Sequence, residues 1–143
     1  MYIKKLTKIQ SFATMQRFLD QYYWKTLADD VGAMLGRLMF LSDNRTTDLA
    51  VESDWIKGVK TVITNYDDDG VLITINQTYE ALLYFLKNYY PRGVSSDLEK
   101  LIDRMALNQT GQIIDIEIRE FWNKAVDLAI SEGPMYLQLG PLN

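Results

Sequence analysis

The sequence predicts an all-α protein: a single compact domain of about six helices, built from two tandem three-helix repeats. Three observations carry this. Two phrases, TKIQSFATMQRFLDQYY (residues 7–23) and TINQTYEALLYFLKNYY (residues 74–90), nearly repeat each other at a spacing of 67 residues. The same ungapped spacing carries residues 6–63 onto 73–130, with identical pairs that include Phe18/Phe85, Tyr22/Tyr89, Arg37/Arg104, Asp48/Asp115 and Trp55/Trp122. Apolar residues recur with the 3.6-residue helical period along most of the chain, and alternating strand patterns are almost absent. The expected boundaries are repeat one at 6–64, an acidic linker at 65–72, repeat two at 73–131 and a C-terminal tail at 132–143.

The first helix of each repeat should begin at a capping box. Thr7 is followed three residues later by Gln10, and Thr74 by Gln77, so hydroxyl and amide can satisfy the first helical donors reciprocally. Behind the first cap, Phe12, Met15, Phe18, Leu19 and Tyr22 form one apolar stripe, with Gln16, Arg17, Asp20 and Gln21 on the polar side. The helix should end near Thr26. Asp30 and Asp97 stand where N-cap carboxylates of the second helices belong, ahead of Val31, Met34, Leu35 and Leu38 in one copy and Leu98, Leu101, Ile102 and Met105 in the other. Asn44-Arg45 and Thr110-Gly111 mark turns, after which Asp48 and Asp115 should cap third helices that place Trp55 and Trp122 in the core.

The segment GVLITI (residues 70–75) reads as a linker into the fourth helix, since a strand there has no obvious partner. That fourth helix carries Leu83 and Tyr84 where the first has Gln16 and Arg17. Apolar around more of its circumference, it is the expected centre of the fold, with Leu83 and Tyr84 binding the halves together.

Composition narrows the chemistry. At 143 residues and 48% hydrophobic, the chain suits one buried core. It has no cysteine and no histidine, which excludes disulfides, Ser-His-Asp or Cys-His catalysis and ordinary zinc sites. No enzyme, cofactor or metal is expected. The acidic run Asp67-Asp68-Asp69-Gly70 fails the calcium-loop pattern, because Thr78 stands where the loop needs a bidentate glutamate. No apolar run approaches the roughly 20 residues that cross a bilayer, and the start does not resemble a signal peptide, so the expected compartment is the cytoplasm with no membrane contact.

A net charge of −4 argues against direct nucleic-acid binding. The charge is also uneven: residues 1–64 hold nine basic and seven acidic side chains, whereas residues 65–143 hold six basic and twelve acidic. The excess of acids belongs to the linker and second repeat, where Asp67, Asp68, Asp69, Glu99, Asp103, Glu117, Glu120 and Asp127 could form a field on one side that attracts a basic partner. Among the aromatic residues, Tyr22 and Tyr89 sit on the core stripe, which leaves Tyr23, Trp24 and Tyr90 open to binding.

The phrase L-T-x-x-Q-x-F-x-x-M-x-x-F-L-x-x-Y-Y over residues 6–23, then Asp29-Asp30-Val31-Gly32 with Leu35, then Asp48 with Trp55, resembles small helical immunity proteins of bacterial contact-dependent growth-inhibition (CdiI-type) and related polymorphic toxin systems. Where that family often opens its third helix with Asp-Pro, this chain has Asp48-Leu49. The resemblance implies a cytoplasmic protein that binds the C-terminal domain of a cognate toxin, often a basic nuclease, one to one as a monomer, and blocks its active site or substrate groove. The toxin contacts expected on that reading are Asp67, Asp68, Asp69, Glu117 and Glu120 among the acids, and Tyr23, Trp24 and Tyr90 among the aromatics. The alternative is a cytoplasmic helical adapter or regulatory subunit that uses the same surfaces for another protein.

Overall fold

A computed structural model of the chain describes residues 4–64, 66, 70–89 and 95–137. The elements run β1 (Lys5–Thr7), α1 (Lys8–Thr26), α2 (Asp29–Leu38), α3 (Leu49–Val62), β2 (Leu72–Thr74), α4 (Ile75–Tyr89), α5 (Ser96–Arg104) and α6 (Ile116–Glu132). The described residues are mostly helical, with the six expected helices and a small two-stranded sheet.

That sheet corrects the reading of residues 70–75 as a linker without a partner. β1 and β2 pair antiparallel, with Leu6 opposite Ile73, and both of these side chains are fully buried. Each strand spans three residues and buries a single side chain, too short a run for alternation to register. Each leads straight into a helix through a capping box. The Thr7 N–H donates to Gln10 Oε1 at 3.0 Å and the Gln10 N–H to Thr7 Oγ1 at 3.1 Å. Thr74 and Gln77 repeat the exchange, both bonds at 3.0 Å. The third helices start as expected: Asp48 Oδ1 accepts from the Ala50 N–H at 3.0 Å, and Asp115 Oδ1 from the Ile118 N–H at 3.1 Å.

Asp30 and Asp97 are not N-caps. α2 is preceded by Ala28, which offers no side-chain cap, and α5 by Ser95, whose Oγ accepts from the Leu98 N–H. Both aspartates lie in the first helical turn and reach across to the other helix. Asp97 Oδ2 accepts the Asp30 N–H at 3.1 Å, and the Ser95 hydroxyl donates to Asp30 Oδ2 at 2.7 Å. Asp97 thus satisfies a first-turn donor of α2, a capping service that comes from another part of the chain.

The core is built by exchange. α1 packs most extensively on α6 and α3 on α4, while α2 meets α5. Trp55 stands edge-on to Phe12 and Phe85, and Trp122 edge-on to Phe18 and Tyr79. Phe18 and Phe85 are among the largest fully buried side chains.

The centre of this core is α1, not α4. Every residue from 11 to 16 of α1 is buried, Gln16 among them. On α4, Leu83 is only half-buried and Tyr84 is 39% exposed, although Tyr84 does reach Gly58 of α3. Gln16 is buried because distant backbone groups meet its amide. Its Nε2 donates to the Leu38 carbonyl at 2.7 Å and the Met135 carbonyl at 3.1 Å, and its Oε1 accepts the Met135 N–H at 2.8 Å. Arg17 adds two bonds to the Gly133 carbonyl. Together they moor the segment after α6 to α1.

Two short hairpins complete the fold, with Phe40 opposite Thr46 and Leu107 opposite Ile113. Their turns contain Asn44 at φ +61° and Gly111 at φ +82°, left-handed conformations that asparagine and glycine tolerate best.

Candidate functional site

The expected contact residues divide into three groups. Asp67, Asp68, Asp69 and Tyr90 lie outside the described residues. Tyr23, Trp24 and Glu117 gather at one end of the molecule, where α1 ends and α6 begins; Glu120 lies one turn further along α6 and is exposed.

At this end α1 terminates with Leu27 in the left-handed conformation, φ +56°, its N–H bonded to the Tyr23 carbonyl at 2.6 Å. A non-glycine residue pays roughly 1–2 kcal/mol to adopt that geometry. The Leu27 side chain is nevertheless 60% exposed, and Trp24, three residues earlier, is 69% exposed. Two large apolar groups therefore stand in water beside the elbow between α1 and α2. Tyr23 is half-buried and backs this elbow: its ring stands edge-on to Trp24, with centroids 5.4 Å apart, and covers Gly32 of α2. A Cβ built on Gly32 would lie 2.5 Å from the Tyr23 ring, so hydrogen at that position is what lets the tyrosine lie flat on α2.

Two hollows flank the elbow. One, of about 290 Å³, runs between Trp24 and α2 over Ala33, Gly36 and Met39, with Asp20 and Asp29 on its rim. Burial raises the Asp20 carboxyl above its ordinary range, while a hydrogen bond from Trp24 and the charge of Arg17 act in the opposite direction. The other, of about 630 Å³, opens between α1 and α5 and is lined by Leu27, Asp29, Asp97, Lys100, Asp103 and Arg104 among others.

The strongest electrostatic device here is Arg104. Its guanidinium donates to Asp115 Oδ2 at 2.9 Å and to Glu117 Oε1 at 2.8 Å, and it lies over the Tyr22 ring at 5.7 Å. Lys25 approaches the other Glu117 oxygen at 3.9 Å. Glu117 is therefore an acid already engaged by two cations, which weakens the expectation that it presents free charge to a partner. Hydrogen bonding from Arg104 holds the Asp115 carboxyl below the usual carboxylate range.

Sequence reading missed Asp29 and Leu27 as members of this face, whereas Asp103 is among the acids it expects to form a charged field. Asp29 and Asp103 lie far apart in the sequence, and the meeting of α2 with α5 brings them together. Among the described residues, no group of three or more acidic side chains is placed to hold a metal ion, and no helix is long and apolar enough to cross a membrane. The arrangement suits recognition: apolar anchors, a groove and an acidic rim.

Comparison with protein-family models, with curated proteins and with solved structures finds no match.

Proposed function

We propose that the protein is an immunity protein that neutralises a cognate bacterial toxin domain by tight, non-covalent binding, and that its chain is a tandem duplication of one three-helix unit. The duplication reading is supported by bonds between residues 67 apart, Ser11 to Thr78 and Asp30 to Asp97, and by hairpins that recur at the same spacing. The functional reading rests on the CdiI-type motif of the first repeat, and one observation directs it to a surface: Trp24 and Leu27, both more than half exposed, at an elbow rimmed by Asp20, Asp29 and Asp103. Aromatic anchors within charged rims are where binding energy concentrates. A toxin nuclease is basic where it holds its polyanionic substrate, and an acidic rim can occupy that surface.

The test is co-expression with the toxin domain encoded beside the gene, scored by cell survival and by the Kd of the purified complex. Protection is expected, and Trp24→Ala should weaken binding by about 30-fold or more, the effect of losing a hot-spot residue of at least ~2 kcal/mol. Absence of protection, together with capture of a different protein partner through the same elbow, would replace the immunity reading with that of a helical adapter.

A further inference from the structure

α2 carries two glycines one helical turn apart, and the protein's own packing explains only one of them. Gly32 lies under the Tyr23 ring, which a Cβ would meet at 2.5 Å. Gly36 has no such neighbour: among the described residues, and apart from the backbone of its own helix, no heavy atom lies within 4 Å of where its Cβ would stand. Glycine inside a helix is destabilising relative to alanine. The bare backbone at Gly36 is therefore a cost that the fold does not require.

The space over Gly36 is the hollow beside Trp24. At about 290 Å³ it is smaller than the pockets that bury drug-sized molecules, and it suits a single long side chain. Ala33, Gly36 and Met39 give it a floor without polar side chains, the 69% exposed Trp24 stands over it, and Asp20 and Asp29 are at its rim. No basic side chain lines it. Arg17, whose charge reaches Asp20, directs its guanidinium to the Gly133 carbonyl. The positions 67 residues further on show what such a helix face carries otherwise. Gly32, Ala33 and Gly36 correspond to Glu99, Lys100 and Asp103 of α5, all three exposed, which is the ordinary make-up of a solvated face. α2 lacks that charged cover beneath its exposed tryptophan.

We infer that the slot between Trp24 and Gly36 receives an arginine side chain from a partner protein, its methylenes over Ala33, Gly36 and Met39 and its guanidinium against the Trp24 indole and the Asp20 and Asp29 carboxylates. Charge complementarity selects a cation, because two acids and no base line the slot. The aromatic wall selects arginine over lysine: the planar guanidinium stacks on a ring and pairs with a carboxylate at the same time, whereas the compact ammonium holds its water more strongly. The inference rests on the toxin reading for the protein that supplies the arginine, and it adds which side chain that protein must carry.

The experiment uses the full-length ¹⁵N-labelled protein at constant ionic strength, and capped tripeptides with arginine, citrulline or lysine between two glycines. The arginine peptide should shift the Trp24 indole N–H and the Gly36 amide saturably and leave the buried Trp55 and Trp122 indoles unmoved. The uncharged citrulline peptide should bind about fivefold more weakly or worse, with the lysine peptide in between. Asp20→Asn should weaken arginine binding by about threefold. Gly36→Leu, which fills the slot, should abolish the shift. Gly36→Ala should weaken binding while raising the melting temperature by about 2–4 °C, a combination that a purely structural glycine would not give. No saturable shift at Trp24, equal binding of arginine and citrulline, undiminished binding to Gly36→Leu, or a lowered melting temperature for Gly36→Ala would overturn the proposal. Protection from the toxin by a chain whose slot takes no arginine would remove this inference and leave the immunity reading standing; arginine binding without protection would do the reverse.

Discussion

α1 and α4 start with the same capping box and carry the same Phe-Leu-x-x-Tyr core, yet they occupy different environments. α4 has the more apolar circumference, but α1 is the more deeply buried, with an unbroken run from residue 11 to residue 16. Hydrophobicity alone does not decide which helix becomes the centre. Gln16 is buried because three backbone groups, at Leu38 and Met135, converge on its amide, so its desolvation is offset by bonds that leucine could not make. At the corresponding position α4 has Leu83, which has no polar group to offer a backbone partner and stays half-buried.

The largest test of this comparison is at the two tryptophans. Trp55→Ala and Trp122→Ala should each destabilise the protein by about 3–5 kcal/mol in urea unfolding, because each removes the centre of an aromatic cluster. Since each cluster draws on both halves of the chain, either variant should still unfold in a single transition; separate transitions would break the picture of one shared core. A smaller and more discriminating pair is Gln16→Leu against Leu83→Gln. The first leaves the Met135 N–H and two carbonyls without partners and should cost about 1–3 kcal/mol in the same assay. The second, at a half-buried position, should cost less than ~1 kcal/mol. A reversed order would mean that apolar circumference does decide burial.

The smallest expected effect is confined to acid. The Asp115 carboxyl is held below its ordinary value by Arg104, so its contribution to stability is fully present above the unfolded-state pKa and is lost as pH falls through the lower folded one. Asp115→Asn should therefore flatten the stability profile below about pH 4, the ordinary carboxylate range, relative to the parent protein. The measurement is thermal unfolding across pH 2–6, and an unchanged acid limb would show that the Arg104 contact carries no linkage.

Local features of the fold were legible in the sequence. The capping boxes at Thr7 and Thr74, the caps at Asp48 and Asp115, and the end of α1 at Thr26 all rest on residues within a few positions of one another. What stayed hidden depends on segments far apart in the chain. The Asp30–Asp97 exchange, the β1–β2 pairing and the burial of Gln16 all join residues many tens of positions apart, and the 67-residue spacing marks which positions are equivalent without showing which distant residues touch. The candidate site divides the same way. Tyr23 and Trp24 could be read from an aromatic pair at a helix end and Asp103 from the acidic bias of the second half, whereas Asp29 and the engagement of Glu117 by Arg104 required the packing of the helices.

The packing of α1 on α6 and α3 on α4 has a consequence during synthesis. α1 leaves the ribosome before α6, with α2, α3, α4 and α5 made in between, so the face of α1 that holds Phe18 waits for these elements before its cover arrives. Contacts this distant in sequence slow folding and leave apolar surface exposed in the interim. A nascent chain paused before residue 116 should thus be a good chaperone client, and a fragment ending there should be rescued when residues 116–137 are supplied in trans.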